Sequence, residues 1–125
     1  WLPTAPKPAA EVQRWLSLTV SHVATGPSRA RWRTLIGAGD TAEAIAAREA
    51  SHTFLGLMEG MIAGRDFLVG DSPTIADVAA YAYIAHAPEG GVSLADYPLV
   101  RAWIDRVQGI KGFVPMQASP IPEIA

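Results

Sequence analysis

The sequence of 125 residues contains no cysteine. This absence excludes a disulfide-stabilised scaffold, a thiol nucleophile and any metal site built on thiolates. No apolar stretch reaches the roughly 20 residues that a membrane-spanning helix needs. No basic segment followed by an apolar one opens the chain, so no secretory signal is predicted. The lack of cysteine is also compatible with a cytoplasmic location, which is our expectation.

Charged residues are few, at 18%, and nearly balanced, with a formal net charge of −2. Such a balance provides no broad electrostatic surface for nucleic acid or for anionic lipid. Half of the residues are hydrophobic, and a chain of this length forms one domain with a substantial core. Because the chain begins with Trp1 rather than Met, we interpret it as a piece of a longer protein.

The ten prolines divide the chain, since six of them lie near its ends and proline disrupts helix interiors. We therefore predict an extended linker over residues 1–8, a helical domain over residues 9–116 and a tail over residues 117–125. Four helices are expected between the prolines: about Ala9–Ala24, ended by Gly26 and Pro27; from Asp40 or Thr41 to Gly64; about Thr74–His86; and about Pro98–Gln108. No stretch alternates polar and apolar residues, so the fold is predicted to be all-α.

The first two helices carry apolar residues at helical spacing. The first has one stripe expected to pack on the bundle, formed by Val12, Leu16, Thr19, Val20 and Val23. A second stripe of Trp15, Leu18 and His22 then needs a different neighbour. In the second helix the predicted buried stripe is Ala47, Ala50, Phe54, Leu57, Met58 and Met61. Its glycines at positions 56, 60 and 64 suggest the close approach of another backbone.

The third helix is apolar on every side from Ile75 to Ala85, which is typical of a central helix enclosed by its neighbours. Thr74 is placed as its N-cap, and Asp77 stands three residues later. This is the spacing of a capping box, in which the carboxylate accepts a hydrogen bond from the N-cap backbone. We therefore expect Asp77 to have a structural role rather than that of a catalytic acid or base.

Three segments resemble the C-terminal helical domain of the cytosolic glutathione transferases of the bacterial type. The most specific is Phe67-Leu68-Val69-Gly70 followed by the capping box Thr74-Ile75-Ala76-Asp77. Downstream, Tyr97-Pro98-Leu99-Val100-Arg101-Ala102-Trp103 is similar to the next helix of the family. Upstream, Gln13-Arg14-Trp15-Leu16-Ser17 resembles the first helix of that domain.

The resemblance implies a homodimeric enzyme that conjugates glutathione to electrophilic small molecules and needs no metal. In this family an N-terminal thioredoxin-like domain binds most of the glutathione and supplies the group that activates its thiol. The chain contains no such domain, so no catalytic residue is expected in it and the fragment alone should be inactive. The alternative is a non-catalytic assembly module of the same fold, because fold does not determine function.

The resemblance also implies site residues on the first and third helices. Trp15, Leu18, His22 and Tyr83 are expected to bind the electrophilic substrate. Ser17 and Ser21 occupy the stretch that contacts glutathione held by the partner subunit. Structural alternatives stay open: packing for Trp15, an interface or core position for His22, and a hydrogen-bonded core position for Tyr83.

Two further patterns are weaker. The histidines at positions 22, 52 and 86 share no metal-ligand spacing with each other or with acidic residues, so no metal site is predicted. Arg29, Arg31 and Arg33 form a short basic run around Trp32. We interpret this run as a solvated loop. The alternative is a loop whose guanidinium groups contact an anionic ligand or a partner chain.

Overall fold

A computed structural model describes residues 1–123, and those residues form helices and connecting turns with no strand. Five α-helices are present: α1 (Pro6–Leu18), α2 (Arg29–Leu35), α3 (Ala42–Met61), α4 (Ile75–Ala85) and α5 (Pro98–Gln108). A π-helical segment, Thr19–Ser28, joins α1 to α2, and a 3-10 turn, Ala87–Gly90, follows α4. The all-α prediction is confirmed. The last two residues of the predicted tail, 124 and 125, lie outside the described residues.

The first helix begins earlier than predicted, because Pro6 and Pro8 belong to the first turn of α1. Proline suits this position, since the N–H groups of the first turn have no partner within the helix. The prediction of an extended segment was therefore wrong for residues 6–8. A linker role for residues 1–5 stays a prediction.

The same helix also continues past Gly26 and Pro27, which were wrongly predicted to end it. Both residues lie inside the π-helical segment and are buried. A Cβ atom on Gly26 would lie 3.1 Å from the Ser51 hydroxyl oxygen and 3.2 Å from its Cα atom. The glycine therefore permits close packing against α3. Since α2 follows directly, the arginine run lies on a helix and not in the predicted loop.

The predicted burial of Val12 and Val23 on the first helix is confirmed, but the buried set differs from the predicted one at two positions. Val12, Trp15 and Val23 are buried there, whereas Val20 is 76% exposed. Burying an indole removes much more apolar surface from water than burying a valine side chain does. The wider turns after Leu18 also change the helical period on which the prediction rested. Trp15 therefore belongs to the core, and Val20 does not.

Helix α3 begins at the predicted cap, where the Thr41 hydroxyl accepts a hydrogen bond from the Ala44 N–H at 3.3 Å. The predicted burial of Ala47, Phe54 and Met58 is confirmed. Ala50 and Leu57, in contrast, are exposed, because their side of the helix has no neighbour within the described residues. Gly56, Gly60 and Gly64 lie on open surface there, with no other atom within 4 Å of an added Cβ. The expected close approach of a backbone is thus wrong for this part of the chain.

Helix α4 is central but only half enclosed. Ala76, Ala80, Tyr81 and Ile84 are buried, whereas Val78 is 60% exposed and Tyr83 is 41% exposed. The prediction of a helix enclosed on every side was therefore wrong for one face. The physical reason is that α1, the π-helical segment and α5 pack on the other sides of the helix and leave this face without a helical neighbour within residues 1–123.

The capping box at the start of α4 is present as predicted. One oxygen of the buried Asp77 carboxylate accepts a hydrogen bond from the Thr74 N–H at 2.8 Å. The other oxygen accepts hydrogen bonds from the Leu68 N–H at 2.9 Å and from the Trp103 indole N–H at 2.8 Å. The carboxylate thus joins the loop before α4, the cap itself and helix α5.

Residues after α5 return across the bundle without regular structure. We call residues 113–123 the C-terminal segment. The ring of Phe113 packs edge-to-face on Tyr81, with the ring centroids 5.2 Å apart. The Ser119 N–H donates a hydrogen bond to the Glu89 carboxylate in the 3-10 turn. The predicted tail is therefore attached to the helices through Ser119.

We predict that Asp77→Ala lowers the free energy of unfolding by more than the loss of a cap alone. A lost cap costs about 0.5–2 kcal/mol, and each buried donor left without a partner adds about 1–3 kcal/mol. Asp77→Asn should also be destabilising, because both carboxylate oxygens accept hydrogen bonds and an amide has only one oxygen. Urea unfolding followed by circular dichroism measures both effects.

The control for this prediction is Asp71→Asn, which removes the same charge from an exposed turn six residues earlier. This variant should unfold within about 0.5 kcal/mol of the unchanged chain, as surface substitutions usually do. Equal stability of the Asp77 and Asp71 variants would contradict the role assigned to Asp77.

Candidate functional site

The two serines predicted to contact glutathione lie one turn apart on the exposed side of the first helix. Ser21 donates its hydroxyl hydrogen to the Ser17 carbonyl oxygen at 2.7 Å. Its oxygen lone pairs stay available to accept a hydrogen bond. The Ser17 hydroxyl forms no hydrogen bond with any residue in the described range 1–123. The geometry therefore leaves one hydroxyl donor and two hydroxyl acceptor oxygens on this surface, and their role in binding glutathione stays a prediction.

Trp15 and Leu18 occupy different environments although sequence spacing places them on one stripe. Trp15 is only 1% exposed, so its side chain supports α1 from within the core. Leu18 is partly buried and packs against that core. Of the two, Leu18 is the residue that reaches the surface. Substrate contact by Trp15 stays a prediction, and the packing alternative agrees with the burial of this side chain by the domain itself.

His22 is exposed, and its ring stacks on Phe54 of α3. The ring centroids are 5.7 Å apart and the planes are 10° from parallel. A core position for His22, one of the alternatives above, is therefore excluded. Phe54 supports the imidazole from below and was missed as a site residue, because the sequence shows only that it lies on the apolar stripe of α3.

Tyr83 lies on the uncovered face of α4, and its hydroxyl has no hydrogen bond to any described residue. The core alternative for this tyrosine is excluded by its 41% exposure. No described hydrogen bond or ring contact joins Tyr83 to Ser17, Ser21 or His22. The structure thus brings the two serines together, directs His22 towards α3 and leaves Tyr83 on a separate surface.

Neither of the other two tyrosines is suited to activate a thiol. The Tyr81 hydroxyl accepts a hydrogen bond from the Gln108 side-chain amide at 2.9 Å. The Tyr97 hydroxyl lies 2.7 Å from His52 Nδ1. Burial raises the pKa of the Tyr97 phenol, and the negative charges of Asp96 and Glu59 raise it further. The Tyr97 hydroxyl also donates to the His52 carbonyl oxygen at 3.2 Å, and the Tyr81 side chain is buried, so neither hydroxyl is free to reach a thiol.

A nearly buried charge cluster lies at the opposite end of α4, around Glu89. Its carboxylate accepts hydrogen bonds from the His86 ring and from the Ser119 N–H, and Arg31 Nε lies 3.5 Å away. The turn that carries Glu89 packs directly on α2, since a Cβ atom on Gly90 would lie 2.5 Å from the Arg31 backbone nitrogen. Glycine at position 90 is thus required by the packing.

The arginine run is divided between two acidic partners. Arg29 and Arg33 both pair with Glu43 at the start of α3. Arg31 instead contacts Glu89 and donates a hydrogen bond to the Ser119 hydroxyl at 3.1 Å. The run therefore ties α2 to its neighbours in the fold. Glu89 was not singled out in the sequence, where the only signal was an acidic residue inside the otherwise uncharged stretch 78–95.

Comparison with known proteins identifies the family. Residues 12–110 match the family described as "Glutathione S-transferase, C-terminal domain". The chain belongs to this family. The match includes the capping box and both neighbouring segments on which the resemblance rested, so that prediction is confirmed. No curated protein sequence matches the chain.

Solved structures agree with the family assignment. A glutathione S-transferase from Xanthobacter autotrophicus Py2 is 31% identical, with a TM-score of 0.86, over 92% of this chain and 58% of that one. A glutathione S-transferase from Pseudomonas fluorescens is also 31% identical, with a TM-score of 0.84, over 91% of this chain and 58% of that one. The glutathione S-transferase C-terminal domain described here thus spans less than two thirds of the length of these proteins.

Two classes of site find no support in this domain. Within residues 1–123, no three histidine, aspartate or glutamate side chains lie close enough to hold a metal ion. Over the same range, each helix is too short or too polar to cross a bilayer.

We predict that Glu89 stabilises the domain in a pH-dependent way. Burial by itself raises the pKa of this carboxyl, but hydrogen bonds from Ser119 and His86 and the charge of Arg31 hold it below its ordinary value of 4.5. Such a carboxylate contributes stability above the pKa of the unfolded chain, and the contribution is lost as the pH falls through the lower folded pKa. The difference in unfolding free energy between the unchanged chain and Glu89→Gln should therefore be largest near pH 7 and shrink below pH 4.5.

Urea unfolding at a series of pH values measures that difference. Glu49→Gln is the matched control, because Glu49 is exposed on α3 and forms no salt bridge with any residue in the described range. The difference in unfolding free energy between Glu49→Gln and the unchanged chain should stay small and nearly constant with pH. A Glu89→Gln difference that grows on acidification would contradict the assignment.

Proposed function

We propose that the chain is the helical substrate-binding domain of a glutathione transferase that conjugates glutathione to electrophilic small molecules. The family match over residues 12–110 carries this proposal. The proposal includes a thioredoxin-like domain upstream, a homodimer and a cytoplasmic location, as in the cytosolic transferases that the sequence resembles.

The proposed reaction is a nucleophilic substitution or addition. The glutathione thiol loses its proton to solvent or to a base, and the thiolate forms a C–S bond with the electrophilic carbon. In a substitution the leaving group departs with the electron pair of the broken bond. The protein accelerates this step by lowering the thiol pKa and by holding both reactants together.

This chain would supply binding surface rather than the thiol-activating group. It has no cysteine, and the Tyr81 and Tyr97 hydroxyls already have partners within the fold. Leu18 and Tyr83 offer apolar surface for an electrophile. The Ser17 and Ser21 hydroxyls fit polar contacts to the peptide groups of glutathione.

The position of the N-terminal residues supports packing of an upstream domain beside α4. The Trp1 carbonyl oxygen accepts a hydrogen bond from the Ile75 N–H at 3.0 Å. Any preceding residues would leave the domain at the start of α4, next to the exposed Val78. Covering this face would bury apolar surface that otherwise contacts water.

The homodimer is supported by a different surface. Leu57 is 62% exposed on α3, and Gly56 and Gly60 beside it leave room for a close neighbour. A second copy of the protein placed here would bury this leucine. The exposed glycines beside it would then lie in the interface between the two subunits.

We predict that the chain alone does not conjugate glutathione to a chromogenic halonitroarene, because no group in it activates the thiol. A longer form that includes the upstream domain should be active. Absorbance of the conjugate measures both rates. The control is the longer form with its thiol-activating residue replaced, which should approach the rate without protein.

The possible results separate the enzyme from the alternative function. Turnover by the chain alone, above that of the buffer, would overturn its assignment as a binding domain. A folded longer form that neither conjugates nor binds glutathione would favour the assembly module.

We predict that His22→Ala in the longer form raises the KM for glutathione or the electrophile more than it lowers stability. The imidazole is exposed on Phe54, and an aromatic pair contributes only about 0.5–1.5 kcal/mol beyond the area it buries. Steady-state kinetics and urea unfolding of the same preparation provide the two numbers.

His52→Ala is the matched control for His22→Ala. His52 is also exposed and also stacks on an aromatic ring, that of Tyr97, at 5.9 Å. Because His52→Ala also removes the hydrogen bond between His52 Nδ1 and the Tyr97 hydroxyl, it should lower stability at least as much as His22→Ala and still leave KM unchanged. A large loss of stability with unchanged kinetics in His22→Ala would remove His22 from the site.

A further inference from the structure

The C-terminal segment is attached to the helical bundle at two separated points. At its start, the Phe113 ring packs on Tyr81 of α4. Six residues later, Ser119 reaches the charge cluster around Glu89 and Arg31. Between these points Val114 is 82% exposed and the backbone has no regular structure.

Ser119 forms both of the polar contacts that hold the far end of this segment. Among the described residues 114–123, it is the only one that hydrogen-bonds to the helices or to the turns between them. Its N–H donates to the Glu89 carboxylate, and its hydroxyl accepts from Arg31 Nη2 at 3.1 Å. The segment therefore depends on one residue for its polar attachment.

The part of the segment between the two attachments forms one wall of an apolar recess. The recess has a volume of about 260 Å³, and its lining includes Val78, Tyr81, Val107, Phe113, Val114 and Met116. Helices α4 and α5 supply the fixed walls. The wall contributed by residues 113–116 is the one without helical hydrogen bonds, so it is the wall that can move.

We propose that the C-terminal segment is a strap, latched by Ser119 on the Glu89 carboxylate, whose release opens the apolar recess between α4 and α5. In the structure described here the strap is closed.

The charged residues around Glu89 allow the strap to be either closed or open. When Ser119 leaves, the Glu89 carboxylate keeps the Arg31 guanidinium and the His86 ring as partners. Opening therefore leaves no unpaired charge in the protein interior, which would be strongly unfavourable. Ser119 is itself only partly buried, so its departure admits water to the Glu89 carboxylate and the Arg31 guanidinium, and water can then replace the Ser119 N–H and hydroxyl. The helices need not unfold for the strap to open.

The absence of cysteine from the sequence allows a direct test. Met116→Cys places a single, partly buried thiol in the wall of the recess, and Val114→Cys places one at the rim of the same recess, where the side chain is 82% exposed. The rate of modification by a disulfide reagent reports how often each thiol is accessible. With the strap closed, the thiol at position 116 should react at least tenfold more slowly than that at 114.

Breaking the latch should remove this difference. Ser119→Pro deletes the N–H that bonds to Glu89, and it should raise the rate at position 116 at least tenfold. Ser119→Ala keeps the N–H and loses only the contact with Arg31, so a smaller increase of about two- to fivefold is expected. Hydrogen exchange in α4 and α5 should stay unchanged in both variants, which distinguishes opening of the strap from unfolding.

Ala118→Pro is the matched control, because the Ala118 N–H makes no hydrogen bond with any described residue. In this variant the thiol at position 116 should be modified at a rate within twofold of that measured with Ser119 and Ala118 unchanged. Equal acceleration by Ala118→Pro and Ser119→Pro would overturn the latch. So would a thiol at position 116 that reacts as fast as the one at 114 before any latch residue is changed. If Ser119→Pro fails to fold, unchanged reactivity in Ser119→Ala overturns the proposal.

Discussion

The buried carboxylate of Asp77 is the interaction on which the rest of the domain depends. A charge without exposure to water is tolerated only when its oxygens are fully hydrogen-bonded. Here three N–H groups satisfy it, from Thr74, Leu68 and Trp103. These donors belong to three different parts of the chain. The carboxylate therefore starts α4, closes the loop before it and fixes α5 against it in one arrangement.

Only the local part of this network could be predicted from the sequence. Thr74 and Asp77 are three residues apart, and a capping box follows from that spacing alone. Leu68 and Trp103 lie 9 and 26 residues from Asp77, and no periodic pattern pairs such positions. Glu89 was missed for the same reason, since Arg31 and Ser119 reach it only through tertiary packing. The starts of α3, α4 and α5 followed from the sequence, whereas the bounds of the first helix, the presence of α2 and the partners of buried charges did not.

The first helix shows why the candidate site could be predicted only in part. The expected break at Pro27 assumed α-helical turns, and the wider π-helical turns carry the chain past it. The assumed rotation placed Val20 inwards, but the large indole of Trp15 takes the buried position. The exposure of Ser17, Ser21 and His22 was consistent with either rotation. An exposed surface with polar side chains on the first helix could thus be predicted, but the burial of Trp15 beneath it could not.

Helix α4 lies between the Asp77 network, which is rigid, and the C-terminal segment, which can move. A helix that exposes Val78 and Tyr83 to water gains nothing from that face by itself. Its position must therefore be secured elsewhere, and the Asp77 network at its first turn does so from the opposite side. The far end of the helix leads into the turn that carries Glu89, whose buried carboxylate accepts a hydrogen bond from the partly buried Ser119. The same helix is thus fixed at its start and borders a movable segment along its uncovered face. Because α4 is fixed at its start, the apolar recess between α4 and α5 can keep its shape while the strap opens or closes access to it.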